Sequence, residues 1–287
     1  MAEAIQVKTR GELQAMRAAG RLLAEAIAAG RAAVAPGATT MDVNDAVATV
    51  IAEGGGTSNF LHYGARGDDP GFPATICASV NDEVVHGIPA ADRVLHEGDL
   101  LSIDAGCIVD GWHADSAVSL HVGAPPPDEQ GMSEVDLIAA CERAMWAGIA
   151  AARPQGRLGD ISAAVEQSVG WSARADGRRY GSVSGYGGHG IGTAMHMAPF
   201  VPNQGKRGKG PRLTPGIALA IEPMLTLGRP GTRVLADDWT VVTKDGARAA
   251  HWEHSIGIGE DGICVLTAAD GGAAGLAPFG VTPISLD

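Results

Sequence analysis

Two stretches of the chain repeat each other 118 residues apart. Pro36 stands six residues before Asp42, and Pro154 stands six before Asp160. Asp42 is followed by Val43 and then Ala46-Val47, and Asp160 by Ile161 and then Ala164-Val165. The same offset lays the segment from Leu95 to Asp104 onto the segment from Leu213 to Glu222. Gly98 falls on Gly216, Leu101 on Leu219, Ile103 on Ile221 and Asp104 on Glu222. Agreement at a few apolar positions is cheap, but two separate segments agreeing at one offset, each copy ending in an acid, are not. Two copies predict a pseudo-twofold rather than a solenoid. The expectation is an α+β fold, one domain over 1–287, with two helix–helix–strand halves at about 9–123 and 131–268. Their acid-bearing strands should meet, and a tail should follow at 269–287.

The acid of the first half lies in a hairpin over 98–115. Apolar runs flank Asp110-Gly111, a strong signal for a two-residue turn. Centring the turn there sets Asp104 opposite Ala117 and Asp115 opposite Gly106. Opposed residues, and residues two apart on one strand, share a face. Asp104 and Asp115 therefore become diagonal neighbours on one face, able to grip one metal ion or share two. Ordinary solvated strand residues are the alternative. The apolar neighbours Leu100, Leu101, Ile103, Cys107, Ile108 and Val109 argue against it, because a buried carboxylate needs a partner.

Helical spacing predicts four helices. The first runs over 9–33 from a Thr9 cap with Glu12 three residues on. A second is capped by Asp42 and ends at Gly54-Gly55-Gly56. A third covers 132–152 from Ser133, and a fourth starts at Asp160. Strands are expected at 74–80, 217–222, 233–243 and 252–259. Residues 271–286, rich in Gly and Pro, read as an extended or disordered surface tail.

A net charge of −12 argues against a general binder of nucleic acid or membrane surface. Cys77, Cys107, Cys141 and Cys264 lack C-x-x-C spacing and read as reduced thiols of a cytoplasmic protein. Charged residues at Glu3, Lys8, Arg10, Glu12, Arg17 and Arg21 leave no room for a signal-peptide core.

If the halves meet through equivalent strands, Asp104, Asp115 and Glu222 converge, with Glu253 as the candidate fourth acid. Glu253, Ser255 and Gly257 alternate with Trp252, His254, Ile256 and Ile258. Four carboxylates in a core repel one another unless cations neutralise them. Such oxygen-rich sites suit Mn, Fe or Co better than structural zinc. His189 and His196 lie in and beyond Gly187-Gly188-His189-Gly190-Ile191-Gly192. Gly185, Gly187 and Gly190 also satisfy a dinucleotide-binding pattern. Pro199 and Pro202 preclude the helix it needs, and no acid lies near 210 to hold a ribose.

These residues resemble a known family. His86-Gly87-Ile88-Pro89, Asp104, Asp115, Gly188-His189-Gly190-Ile191-Gly192 with His196, Ala220-Ile221-Glu222-Pro223 and Glu253-His254-Ser255 follow the order and spacing of methionine aminopeptidases. The resemblance spans about 5–268 and is closest to the short bacterial type I form. It implies the pita-bread fold, a curved antiparallel sheet with helices on its outer face. It implies removal of the initiator methionine from nascent chains whose second residue is small, by a dinuclear divalent centre (Co, Mn, Fe or Zn) and a bridging hydroxide. Asp104 would hold one ion, Asp115 and Glu253 would bridge, and His189 and Glu222 would complete the other. Glu222 would accept the water's proton, His196 would donate to the developing oxyanion, and His86 would contact the scissile amide. The methionine pocket would take in Phe72, Cys77, His86, Met195, His196 and Trp239, with Tyr63 and Phe60 nearby. The family further implies a monovalent cation near Asn81 and Glu83, a cytoplasmic monomer, and the ribosome as a candidate contact.

Three departures stand out: Met197 in place of an acid, a longer loop at 64–71 beside Tyr63, and Ala249 where a hydroxyl often helps hold the monovalent cation. A proline-specific relative and a metal-free binding protein on the same scaffold are the competing readings. The first usually carries a large N-terminal domain. The second has lost ligands that are all present here.

Overall fold

The computed structural model describes residues 4–287, so residues 1–3 of the expected single domain lie outside the described residues. Four long helices are α1 (Arg10–Ala33), α2 (Thr40–Glu53), α3 (Glu129–Ala151) and α4 (Leu158–Asp176). The principal sheet has nine strands: β1 (Thr57–Ser58), β2 (Ile76–Val80), β3 (Leu100–Val109), β4 (Trp112–His121), β5 (Gly188–Gly190), β6 (Met197–Val201), β7 (Ala218–Ile221), β8 (Glu253–Ile258) and β9 (Ile263–Val265). Its order is β1-β3-β4-β8-β7-β5-β6, with β2 also on β3 and β9 on β8. All of these pairings are antiparallel.

The repeat is visible as architecture. Starting the copies at Leu100 and Ala218 makes β3 and β7 equivalent, each in the interior of the sheet. Helix pair α1/α2 accompanies the first half and α3/α4 the second. The halves join where β4 meets β8, with Ala117 opposite Glu253 and Ser116 opposite His254. The seam is braced by side chains: Ser116 Oγ donates to Glu253 O at 2.9 Å, and Ser255 Oγ to Asp115 O at 2.8 Å.

The hairpin has the expected register over ten residue pairs, including Asp104 with Ala117 and Gly106 with Asp115. Asp110 and Gly111 have φ of 49° and 81°, the two positive values that a two-residue turn matched to strand twist requires.

Helix α1 starts at its expected Thr9 cap, with the box to Glu12 complete, and the other three helices start earlier than expected. Thr39, not Asp42, is the N-cap of α2; Asp42 accepts back from the Thr39 amide at 2.7 Å, completing a capping box. Asp160 likewise sits one turn inside α4 and accepts from the Arg157 amide at 2.8 Å. An acid at the third helical position and an acid at the cap look alike in sequence. Helix α3 is capped by Asp128, whose carboxylate accepts from Gly131 N at 3.1 Å, and begins at Glu129 rather than at Ser133.

The strand expected over 233–243 is two short pieces, Thr232–Val234 and Val241–Thr243. Asp237 interrupts it, because its carboxylate accepts from the amides of Trp239 and Thr240 and builds a turn. The tail is also more structured than expected. Residues Ala273–Leu276 form a helical turn, Leu276 and Leu286 are buried, and Ile284 N donates to Ile263 O at 2.8 Å. Arg17, fully buried on α1, donates to the carbonyls of Leu266, Ala268 and Ala269 and pairs with Asp287. All four cysteines are free and buried. Among the described residues no helix is long and apolar enough to cross a membrane.

Candidate metal centre

One cavity beside the seam collects every residue that the sequence assigned to the divalent centre, the catalytic step and the methionine pocket. Its walls include Asp104, Asp115, His189, Glu222 and Glu253, with His86 and His196 beside them. Phe60, Tyr63, Phe72, Cys77, Met195 and Trp239 form an apolar flank. His251 and Val85 also line it, and sequence reasoning does not find them. A signal for His251 exists, since it stands two residues before Glu253 and continues the same alternation backwards.

Each acid arrives on a different piece of backbone. Asp104 and Asp115 come from the interior of the hairpin, at 8% and 3% exposure. Glu222 follows the last residue of β7, where Pro223 ends the ladder because it has no N–H; Asn203 Nδ2 donates to the Glu222 carbonyl at 3.0 Å. Glu253 opens β8, directly across from Ala117.

His189 reaches the acids from a strand of glycines. A Cβ on Gly188 would lie 2.2 Å from the Ala220 carbonyl oxygen, and one on Gly190 would lie 2.1 Å from that of Ala198. Glycine therefore lets β5 sit between β6 and β7. The Nδ1 of His189 is 3.0 Å from its neighbour's carbonyl at Gly190. Donation there puts the proton on Nδ1 and leaves the Nε2 lone pair facing inward, the orientation a metal ligand needs. That Nε2 lies 3.5 Å from Glu222 Oε1 and 3.9 Å from Asp115 Oδ2.

The electrostatics suit cations. Burial drives the Asp115 and Glu253 carboxyls well above their ordinary range, and the neighbouring acids push the same way. Burial also raises Asp104, to about 7, with Glu222 adding to the effect and His251 opposing it. Glu222 differs. Burial pushes it up, but His251, His189 and His196 more than offset this and hold it below its usual value. Asp104 Oδ1, Asp115 Oδ1, Glu253 Oε1 and His251 Nε2 are all buried without a hydrogen-bond partner. Orphaned polar atoms cost about 1–3 kcal/mol each, and four facing one cavity fit a group that would bind them all. Two sets of donor atoms, from Asp115, His189 and Glu253 and from Glu222, His251 and Glu253, each lie within 4.8 Å of one another. Glu253 belongs to both.

At the rim, Tyr63 Oη lies 2.7 Å from His196 Nδ1, and the two rings meet edge to face. The loop at 64–71 closes on itself through Arg66 and Asp69, whose amides and carbonyls pair both ways at 3.0 Å. Phe72 N and Tyr63 O then bond at 2.9 Å, which holds Tyr63 over the site. Burial and the adjacent His189 lower His196 to about 4, so the ring is neutral near pH 7. Asn81 O, near the expected monovalent-cation position, accepts from Ala249 N at 2.9 Å.

A curved antiparallel sheet backed by helices, with buried carboxylates and an imidazole converging at its pseudo-twofold seam, defines a pita-bread metallopeptidase. The family model of metallopeptidase family M24 matches residues 14–260, and the chain belongs to that family. Its relatives narrow the assignment to the methionine aminopeptidases. Methionine aminopeptidase 1 of Mycobacterium tuberculosis is 49% identical over 260 residues, spanning 91% of this chain and 94% of the relative. Methionine aminopeptidase 1 of Bacillus subtilis is 40% identical over 260 residues, 91% and 98% of the two chains. The crystal structure of methionine aminopeptidase from Thermotoga maritima superimposes with a TM-score of 0.84 at 36% identity, covering 92% and 99%.

Proposed function

We propose that this metal-dependent aminopeptidase removes the N-terminal methionine from new polypeptides whose second residue is small, at a centre of two divalent ions. The observation that carries the reading is the meeting of orphaned carboxylate donors with an apolar pocket of methionine size and character. Asp104, Asp115, His189, Glu222 and Glu253 would hold the ions, and Asp115 and Glu253 would be shared between them. Bound there, two divalent ions supply Lewis acidity and make a hydroxide nucleophile available at neutral pH.

The chain's own residues account for the rest. Phe72 and Trp239 meet edge to face at a ring-centroid distance of 5.3 Å and, with Phe60, Cys77 and Met195, form an apolar slot for an unbranched thioether side chain. Glu222, kept ionised by the surrounding imidazoles, accepts the proton lost by the attacking water and can return it to the leaving amine. Tyr63 donates to Nδ1 of neutral His196. The proton of that imidazole is then on Nε2, available to the oxyanion that forms as the carbonyl becomes tetrahedral. His86, at φ 61° in its turn and half-buried against Tyr186, lines both this cavity and the adjoining groove of Tyr186, Met197 and Met224. A peptide leaving the cavity along that groove would pass His86 at its scissile amide. Met197, Phe200 and Met224 line that groove, where the second residue would lie.

The test is release of free methionine from Met-Ala, Met-Leu and Xaa-Pro peptides after loading with Mn, Fe, Co or Zn. Cleavage of Met-Ala well above the other two supports the reading. Cleavage of Xaa-Pro peptides alone, or no cleavage with any metal, overturns it.

A further inference from the structure

His251 is the one buried imidazole at the cavity to which the preceding reading assigns no task. It is 2% exposed, and its Nε2 has no hydrogen-bond partner. Its position is fixed by the first half of the molecule. The His251 amide donates to Ser119 Oγ at 2.9 Å, and Ser119 Oγ lies 2.9 Å from the His251 carbonyl and 2.8 Å from Ser102 Oγ. A clamp of that kind leaves the ring little freedom to turn away from the acids.

The distances discriminate between two uses of such a ring. His251 Nε2 lies 3.7 Å from Glu222 Oε2 and 4.0 Å from Glu253 Oε2. Both are too long for a hydrogen bond, which ends near 3.2 Å for N–H···O. Two atoms bound to one ion at about 2.1 Å stand at most about 4.2 Å apart. The His251 separations fall inside that limit. So do those of His189, at 3.5 Å from Glu222 and 3.9 Å from Asp115. By this measure the two imidazoles are placed alike, one on each side of Glu222.

We propose that His251 Nε2 is a ligand of the ion that Glu222 and Glu253 would share, so that the centre holds two imidazoles rather than one. The inference rests on the two-metal reading above. It carries a consequence for metal preference. Replacing an oxygen donor or water by imidazole favours Fe, Co or Zn over Mn, which prefers carboxylates and water.

The test counts imidazoles. X-ray absorption of the wild-type enzyme loaded with two equivalents of Co(II) should show multiple scattering from two imidazoles per two ions. In His251→Gln, which keeps a neutral polar side chain able to donate to Glu222, the count should fall to one. Titration calorimetry should show the second Co(II) equivalent bound at least about tenfold more weakly, with the ratio of Mn to Co affinity shifted toward Mn. Two bound ions with one imidazole in the wild type would overturn the assignment and leave the two-metal reading intact. Binding of both equivalents by the Gln variant as tightly as by the wild type would do the same. Failure of the wild type to bind metal would overturn both. Should the variant not fold, the wild-type count decides the matter alone.

Discussion

The two halves reach the same end by different means. In the first, Asp104 and Asp115 stand on strands joined by Asp110 and Gly111, and ten unbroken residue pairs set their relation. In the second, Glu222, just past the end of β7, and Glu253, the first residue of β8, are separated by thirty residues of chain, with breaks at Pro223 and Trp252. One pair of acids is placed by a local turn. The other depends on β7 finding β8 across a long excursion, helped by β5 with its two close-approach glycines. The first arrangement is cheap to form, while the second carries loop-closure cost and leaves room for insertions. The excursion carries Trp239, and so the second half supplies the side of the pocket that meets Phe72 of the first.

Breaking the seam should give the largest effect. Glu253→Gln removes the donor common to both triads. It should lower kcat/KM on Met-Ala peptides by more than about 10²-fold and cost at least one bound metal equivalent, read by metal analysis after dialysis. Thr49→Ala, an exposed first-half change on α2, should leave both unchanged; it loses only the bond to the Asp45 carbonyl at 2.7 Å.

Next come the glycines, where the halves should differ most in stability. Gly188→Ala drives a methyl into the Ala220 carbonyl and should destabilise by about 3 kcal/mol, measured by urea denaturation. Gly111→Ala meets no atom within 4 Å and suffers only its φ of 81°, so about 1 kcal/mol is expected. Equal losses at the two positions would mean that the second half is no more tightly fitted than the first.

Tyr63→Phe should lower kcat by about tenfold, the loss of roughly 1.4 kcal/mol from one positioning hydrogen bond, with KM little changed. A matching rise in KM instead would move Tyr63 from orienting His196 to contacting substrate.

The smallest effect concerns Lys8, whose ammonium donates to the Ile191 carbonyl beside β5. Burial lowers its pKa to about 8, against the partial opposition of Glu12. Between pH 8 and about 10.5 the unfolded chain binds more protons at this site than the folded one. Its contribution to stability therefore rises with pH, is complete above 10.5, and is lost as pH falls through 8. Denaturation midpoints should climb over that window in the wild type, and less in Lys8→Met.

The same contrast explains what can be read in advance. The hairpin register and its acids follow from a period of two and a turn dipeptide, which are local properties. Glu222 is legible only because the chain repeats itself, and Glu253 only once Glu222 has been placed. His251 escapes because the alternation is taken up at Trp252, one residue too late. The capping box of α2 and the single amide-to-Asp160 bond of α4 hide their true starts, since the acid at the third helical position could also hold the cap. The split strand at 232–243 depends on Asp237 choosing backbone amides over the ladder. The folded tail depends on Arg17, whose buried guanidinium needs partners nearly the whole chain away. Sequence spacing carries no trace of either choice.

Cys77 has a consequence of another kind. Its thiol sits on β2 opposite Asp104, and burial together with Asp104 and Asp115 holds it well above its ordinary pKa. The thiolate is the reactive form, so this sulfur is a wall and not a nucleophile. Electrophilic inhibitors designed to alkylate it would find an inert target. Compounds that use the slot by shape and by affinity for the adjacent acids would gain more from the same space.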